Sequence, residues 1–246
     1  MIKAFIDFDG TITTVDVGDT MFETFGGTAC LRSIEEYRNE KISAVECFRQ
    51  ECLACGSVNK EHLDAFLDNQ PIDISFAGFV EFCKARDIEC TVLSDGMDYY
   101  IDRILRHHNL PAVSYYSNHL DLEPVNGSET VLFQPSFPHT DETCDRCACC
   151  KRNYILTHAA DDDIIVYVGE GYSDRCPARY ADIVFAKDEL LNYCRAENIS
   201  YFEYASFGDV TDRLAKMLEA PTSKKKSSLH KRRQGQLACR EVYLAG

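Results

Sequence analysis

The chain of 246 residues carries 26 Lys and Arg against 40 Asp and Glu, a formal net charge of −14, and 45% of its residues are apolar. That suffices for a folded α/β domain with an elaboration, and no stretch approaches the roughly 20 uninterrupted apolar residues of a membrane span. A body this acidic repels nucleic acid and anionic membranes, and without a basic segment and apolar signal region at the start the expected location is cytoplasmic.

The first element is a buried strand, Ile2-Lys3-Ala4-Phe5-Ile6, which delivers Asp7-Phe8-Asp9-Gly10-Thr11. In extended backbone Asp7 and Asp9 share a side, where like charges repel unless a cation or a shared proton relieves them. Gly10 allows a sharp turn whose backbone N–H groups are expected to meet an anion. The junction reads as a Mg²⁺ site beside a phosphate site.

From Val17 to Gln70 apolar residues recur at three- and four-residue steps (Met21, Phe22, Phe25; Val45, Phe48, Cys52; Leu63, Phe66, Leu67), which predicts a helical block used as a cap. Phe22, Phe25 and Phe48 are either core or an apolar wall for substrate. Pro71-Ile72-Asp73 ends the block. A helix over residues 74–86 then leads to a short strand, residues 89–93, stopping at Ser94-Asp95-Gly96, with Asp95 expected to cap a helix over residues 97–108. His107-His108 suits that helix's C-terminus. Residues 114–137 alternate weakly around Pro124, Asn126 and Gly127, a hairpin-like excursion that extends, with its cysteines, over residues 113–150. Lys151 opens a helix through His158. Ile164 to Val168 is the most strand-like run of the chain, ends in Gly169-Glu170-Gly171-Tyr172-Ser173-Asp174, and precedes a helix over residues 175–180 and a strand over residues 183–186.

Strands alternating with helices predict an α/β fold with a doubly wound, mostly parallel sheet and ligands at the strands' carboxyl ends. The expected division is a core of residues 1–16 and 71–219, a helical cap of residues 17–70, and a basic tail of residues 220–246. In that tail seven Lys and Arg face only Glu241, so it carries +6 and the rest −20. A solvated disordered end and a nucleic-acid or partner-binding arm are its two readings.

Thirteen cysteines are many for a reduced compartment. Cys144, Cys147, Cys149 and Cys150 fall within seven residues, and three readings stand. They are a Zn²⁺ site, with His139 as a further ligand; local disulfides or a redox site; or reduced thiols packing the loop before Lys151.

Together, Asp7, Asp9, Ser94, Lys151, Glu170 and Asp174 resemble the four motifs of the haloacid-dehalogenase superfamily of phosphatases. Asp7-Phe8-Asp9-Gly10-Thr11 matches the first motif, Ser94 after Thr91-Val92-Leu93 the second, Lys151 the third and Gly169 to Asp174 the fourth. The resemblance covers residues 1 to about 217 and is closest to the phosphoserine-phosphatase-like branch, which inserts its cap between the first two motifs. Leu93 to Tyr99, Cys147 to Lys151 and Phe185 to Leu191 are similar to methionine-salvage phosphatases acting on 2-hydroxy-3-keto-5-methylthiopentenyl-1-phosphate. Gly169 to Pro177 is also similar to phosphoethanolamine/phosphocholine phosphatases.

The resemblance implies a Mg²⁺-dependent hydrolase of a small phosphorylated metabolite. Asp7 would be the nucleophile, forming an aspartyl-phosphate, and Asp9 the general acid and base. Ser94, the Gly96 N–H and Lys151 would hold phosphate oxygens. Asp7, the Asp9 carbonyl, Glu170 and Asp174 would hold or support Mg²⁺, although Asp174 alternatively caps the next helix. Asp16 lies where the branch keeps a residue near the substrate, or serves as a hinge carboxylate. Glu170 departs from the family's usual aspartate, and a second class of function follows from it: a phospholigand-binding protein without turnover.

Overall fold

A computed structural model of the chain describes residues 1–219; the expected basic tail lies outside the described residues. In chain order the elements are β1 (Ile2–Ile6), α1 (Val17–Gly26), α2 (Thr28–Arg38), α3 (Ala44–Cys55), β2 (Ser57–Asn59), α4 (Lys60–Asp68), α5 (Phe76–Ala85), β3 (Ile88–Met97) and α6 (Asp98–His107). There follow β4 (Ser114–Pro124), β5 (Thr130–Ser136), α7 (Lys151–His158), β6 (Ile164–Gly169), α8 (Arg175–Ala178), β7 (Ile183–Ala186), α9 (Asp188–Ala196), β8 (Phe202–Glu203) and α10 (Phe207–Glu219). No helix among the described residues is long and apolar enough to cross a membrane.

The chain forms two compact units. Among the described residues one comprises Met1–Asp7, Asp73–Val92 and 151–219; the other comprises Phe8–Ile72 and Leu93–Cys150. Residues 8–16 and 93–150 therefore group with the helical block, where the chain pattern suggested the core.

In the first unit β1 lies between β3 and β6, and β7 and β8 continue the sheet, all parallel. Parallel strands covered on both faces are continuously apolar, and β1, β6 and β7 are buried along nearly their whole lengths. The register pairs Ile6 with Val92 and with Val168, and Asp7 N–H continues the ladder to the Val168 carbonyl at 2.9 Å. Asp7 and the segment after Gly169 thus leave the sheet side by side. On α5 and α10, Phe76, Phe79 and Phe207 cluster with centroids 4.8 to 6.4 Å apart. Asp73 and Ser75 accept the first N–H groups of α10 at 2.8 and 2.9 Å.

The second unit holds the helical block. Asp16, Ser43 and Asn59 cap α1, α3 and α4 through their side chains, each supplying an acceptor for an N–H that a helix start leaves unpaired. Phe22 is buried against Phe48 and Phe133 and belongs to the core, whereas Phe25, packed on Phe66, and Phe48 are half-buried. The excursion is an antiparallel hairpin of β4 and β5 with Asp121 opposite Gln134. Its β5 edge pairs with the three-residue β2, a strand inside the expected all-helical block. β3 does not stop at Ser94 but continues through Gly96 to Met97.

Candidate active site

In the first unit the site is built around Lys151, the first residue of α7 and 1% exposed. Its ammonium group has three N–H donors, and all three are used: Asp7 Oδ1 at 2.5 Å, Asp174 Oδ1 at 2.7 Å and Ser173 Oγ at 2.9 Å. Burial alone would push the ammonium toward its neutral form, but the carboxylates of Asp174 and Asp7 outweigh it and hold the Lys151 pKa well above its ordinary value. The group is therefore a fixed buried cation.

Asp174 is fully buried and accepts four hydrogen bonds. Oδ1 receives Lys151 Nζ and the Tyr167 hydroxyl (2.5 Å); Oδ2 receives the N–H groups of Glu170 (2.8 Å) and Gly171 (2.9 Å). A carboxylate offers about four lone-pair sites, and these four bonds use them. Its side chain does not cap α8. It ties Lys151 to the loop that carries Glu170. Burial, and then the adjacent Asp174 carboxylate, raise the Tyr167 pKa well above normal, keeping its proton in place for donation.

Glu170 is half-buried. Its main chain is held on both sides, the N–H by Asp174 and the carbonyl by Leu190 N–H at 2.6 Å in the first turn of α9. A loop pinned at both ends fixes the starting point of the glutamate side chain.

In the second unit Asp9 collects donors. Val17 and Gly18 N–H groups at the start of α1 lie 3.2 and 3.3 Å from Oδ1, and the Tyr100 hydroxyl (2.8 Å) and Ser94 Oγ (3.2 Å) approach Oδ2. The helix N-terminus and these donors favour a negative charge there. Gly96 is required by crowding: a Cβ would lie 1.6 Å from the Tyr100 oxygen and 2.8 Å from Asp9 Oδ2.

Several expected donors are already engaged. The Gly10 N–H, expected to meet an anion, turns back to the Val15 carbonyl and Thr13 Oγ1, both at 3.1 Å, with Gly10 at φ 67°. The Gly96 N–H donates to Ser94 Oγ at 2.9 Å. Asp95 does not cap α6, which begins after Met97 without a side-chain cap; it accepts the Cys149 N–H at 2.6 Å instead. Asp16 is placed as the cap of α1, accepting Asp19 N–H at 2.8 Å.

Of the three readings of the cysteine segment, the Zn²⁺ site finds no support among the described residues. Tetrahedral Zn²⁺ needs four donors converging at about 2.0 to 2.3 Å, and among the described residues no three His, Cys, Asp or Glu side chains are grouped to hold an ion. Cys149 and Cys150 are buried, whereas Cys144 and Cys147 are half-exposed, and none of the four is in a disulfide. The His139 ring stacks on Tyr116 at 3.9 Å while its carbonyl accepts the Cys150 N–H at 2.8 Å.

Tyr167, Ser173 and Tyr100 complete the two clusters without having been singled out in the sequence. Tyr167 was the legible one: a hydroxyl inside the run Ile164-Ile165-Val166-Tyr167-Val168 must find a partner once buried. Nothing local marks Tyr100, which lies in an ordinary amphipathic helix pattern.

A family model described as Putative Phosphatase matches residues 2–193. A 2-hydroxy-3-keto-5-methylthiopentenyl-1-phosphate phosphatase of Bacillus pumilus (strain SAFR-032) is 30% identical over 207 residues, 83% of this chain and 87% of its own. Pdp3-interacting factor 1 of Schizosaccharomyces pombe is 29% identical over 224 residues, 88% of this chain and 96% of its own. A solved structure of a phospho-aspartyl intermediate analogue of phosphoserine phosphatase aligns with a TM-score of 0.63 at 14% identity, covering 86% of this chain and 98% of that one. At that identity the structural likeness speaks for the fold alone.

Proposed function

The chain belongs to the Putative Phosphatase family and has the fold of the haloacid-dehalogenase phosphatases, and on that premise we propose that it hydrolyses a small phosphorylated metabolite with Mg²⁺ through an aspartyl-phosphate on Asp7. The observation that carries this reading is the buried Lys151 paired to Asp7 at 2.5 Å at the end of β1. A carboxylate held on one oxygen by a fixed cation is oriented for attack, and its repulsion from a phosphate dianion is reduced.

The donor chemistry suits Mg²⁺ in a reduced form of the expected set. The ion keeps several waters and takes one or two carboxylates, which Asp7 and Glu170 would supply, together with the Asp9 carbonyl. Asp174, with its four hydrogen bonds, would support the set by holding the Glu170 loop. When bound, Mg²⁺ supplies positive charge that offsets the negative charge of nucleophile and phosphate.

In the first step an Asp7 oxygen forms a bond to phosphorus as the ester P–O bond breaks, and the leaving oxygen takes a proton from Asp9. In the second, Asp9 takes a proton from water while the water oxygen attacks phosphorus, releasing Asp7 and inorganic phosphate. The donors around Asp9 hold its carboxyl in one orientation for both proton transfers. Lys151 reaches a phosphate oxygen by exchanging Ser173, the only uncharged partner of the three. Ser94 and Gly96 are the further phosphate contacts in this reading, the Ser94 hydroxyl by giving up Asp9 and the Gly96 N–H by giving up Ser94 Oγ.

The relatives' names make 2-hydroxy-3-keto-5-methylthiopentenyl-1-phosphate the first substrate to test, with phosphoethanolamine, phosphocholine and phosphoserine as alternatives. Phosphate release from these compounds and from p-nitrophenyl phosphate is measured with and without Mg²⁺. Hydrolysis that needs Mg²⁺ and disappears in Asp7→Asn supports the reading. Undiminished hydrolysis by Asp7→Asn overturns it.

A further inference from the structure

We propose that Asp95 is a positioning residue that braces the Ser94–Gly96 turn against the segment leading into Lys151, and that Asn118 locks the brace. The inference rests on the phosphatase reading, in which Ser94, Gly96 and Lys151 meet the phosphate.

Asp95 stands between two proposed phosphate contacts in β3. Its carboxylate accepts the Cys149 N–H at 2.6 Å, and its carbonyl accepts Asn118 Nδ2 at 2.6 Å. Cys149 is fully buried in a loop, so its N–H needs an acceptor, which the Asp95 carboxylate supplies. Two residues later comes Lys151. One side chain therefore serves the backbone of the second segment while its own main chain carries the first.

Asn118, on β4, is fully buried, and its Oδ1 meets no donor among the described residues. The amide orientation is not arbitrary, because the Asp95 carbonyl can only accept and must face the nitrogen. A buried amide with an unpaired acceptor is a cost to the core. Its one hydrogen bond, to Asp95, is where a compensating role lies. The Ser94 hydroxyl then links Gly96 N–H to Asp9 Oδ2 within the same unit. Shifting Asp95 moves that relay and the chain before Lys151 together.

The acceptor, not the negative charge, is what this role requires, and that separates it from recognition of a cationic substrate. Wild type, Asp95→Ala, Asp95→Asn and Asn118→Leu are compared in kcat and KM for p-nitrophenyl phosphate at saturating Mg²⁺, in binding of inorganic phosphate by calorimetry, and in thermal melts. Asn keeps an oxygen for the Cys149 N–H, so Asp95→Asn is expected within about threefold of wild type in kcat/KM and in phosphate affinity. Asp95→Ala loses a hydrogen bond to a charged acceptor, and both quantities fall about 10- to 100-fold. Asn118→Leu fills the same volume and falls between the two. An Asp95→Asn as impaired as Asp95→Ala overturns the proposal, as does an Asp95→Ala that melts earlier with kcat/KM and phosphate affinity unchanged. Should Asp95→Ala not fold, Asp95→Asn and Asn118→Leu decide by the same readings. A wild type that binds phosphate without hydrolysing ester refutes the phosphatase reading alone, and the calorimetry still tests the brace.

Discussion

Replacing Asp174 by Asn tests whether the four hydrogen bonds on that carboxylate organise the site. Asn keeps the shape but turns one acceptor oxygen into a two-proton donor. If the amide nitrogen faces Oδ2's partners it meets the Glu170 and Gly171 N–H groups; if it faces Oδ1's it meets Lys151 Nζ and the Tyr167 hydroxyl. Either way two donors lose their acceptor in a fully buried place, and the remaining two bonds lose their charge. Hydrogen bonds to charged groups contribute about 1.5–3 kcal/mol each, so the two lost bonds amount to about 3 kcal/mol at the least. Lys151 keeps Asp7, so the cation is not left bare and the loss stays near the lower end for a broken buried pair, about 3–5 kcal/mol. At roughly 2–4 °C per kcal/mol for a chain of this size, the melting temperature falls by about 6–12 °C. A Lys151 displaced by about 1 Å costs on the order of a hundredfold in kcat. Thermal melts by circular dichroism and phosphate-release kinetics on the same preparations check both numbers. A variant melting within about 2 °C of wild type with kcat intact refutes the four-bond assignment.

Glu51, buried at 3% exposure in α3, has its carboxyl pushed from 4.5 up to about 8, by burial first and then by the negative charges of Asp19 and Asp16. The unfolded chain ionises this group from about pH 4.5 and the folded chain only near 8, so the unfolded state binds fewer protons in between and stability falls as pH rises through that window. Glu51→Gln removes the effect and is expected to stabilise by about 1 kcal/mol at pH 5 and about 4 kcal/mol at pH 8; urea melts in which the gap does not widen with pH refute it. Glu170→Asp shortens the side chain on a main chain pinned by Asp174 and Leu190. With one fewer rotor to freeze on ligation, Mg²⁺ binding measured by calorimetry is expected to tighten about two- to tenfold. Weaker binding would show that the reach of glutamate is needed.

Where the chain ended its apolar runs, the sequence was informative because strand ends are local facts. Ile6, Val92 and Val168 are register partners in the structure, and each run is followed within two residues by Asp7, Ser94 or Glu170. Lys151 at the head of α7 was legible only beside those three, because a lysine alone marks nothing. The strand β2 was not, since three residues, Ser57–Asn59, have no period of their own and become extended by pairing with Thr130 to Leu132. Nor could spacing say which donors were already spent. Gly10 looks open to an anion until Thr13 and Val15 close the turn on it, and Asp174 looks like a metal ligand until Tyr167, Lys151 and two main-chain N–H groups are counted against its lone pairs. These are questions of satisfaction at a distance, from residue 151 to residue 174 or from 95 to 149. They separate two kinds of acidic residue that look alike in a sequence. Glu170 is a half-buried carboxylate on a pinned loop and suits an ion. Asp174 is a saturated one that suits a lysine, so a gain in Mg²⁺ affinity is to be sought at Glu170 and a loss of site order at Asp174.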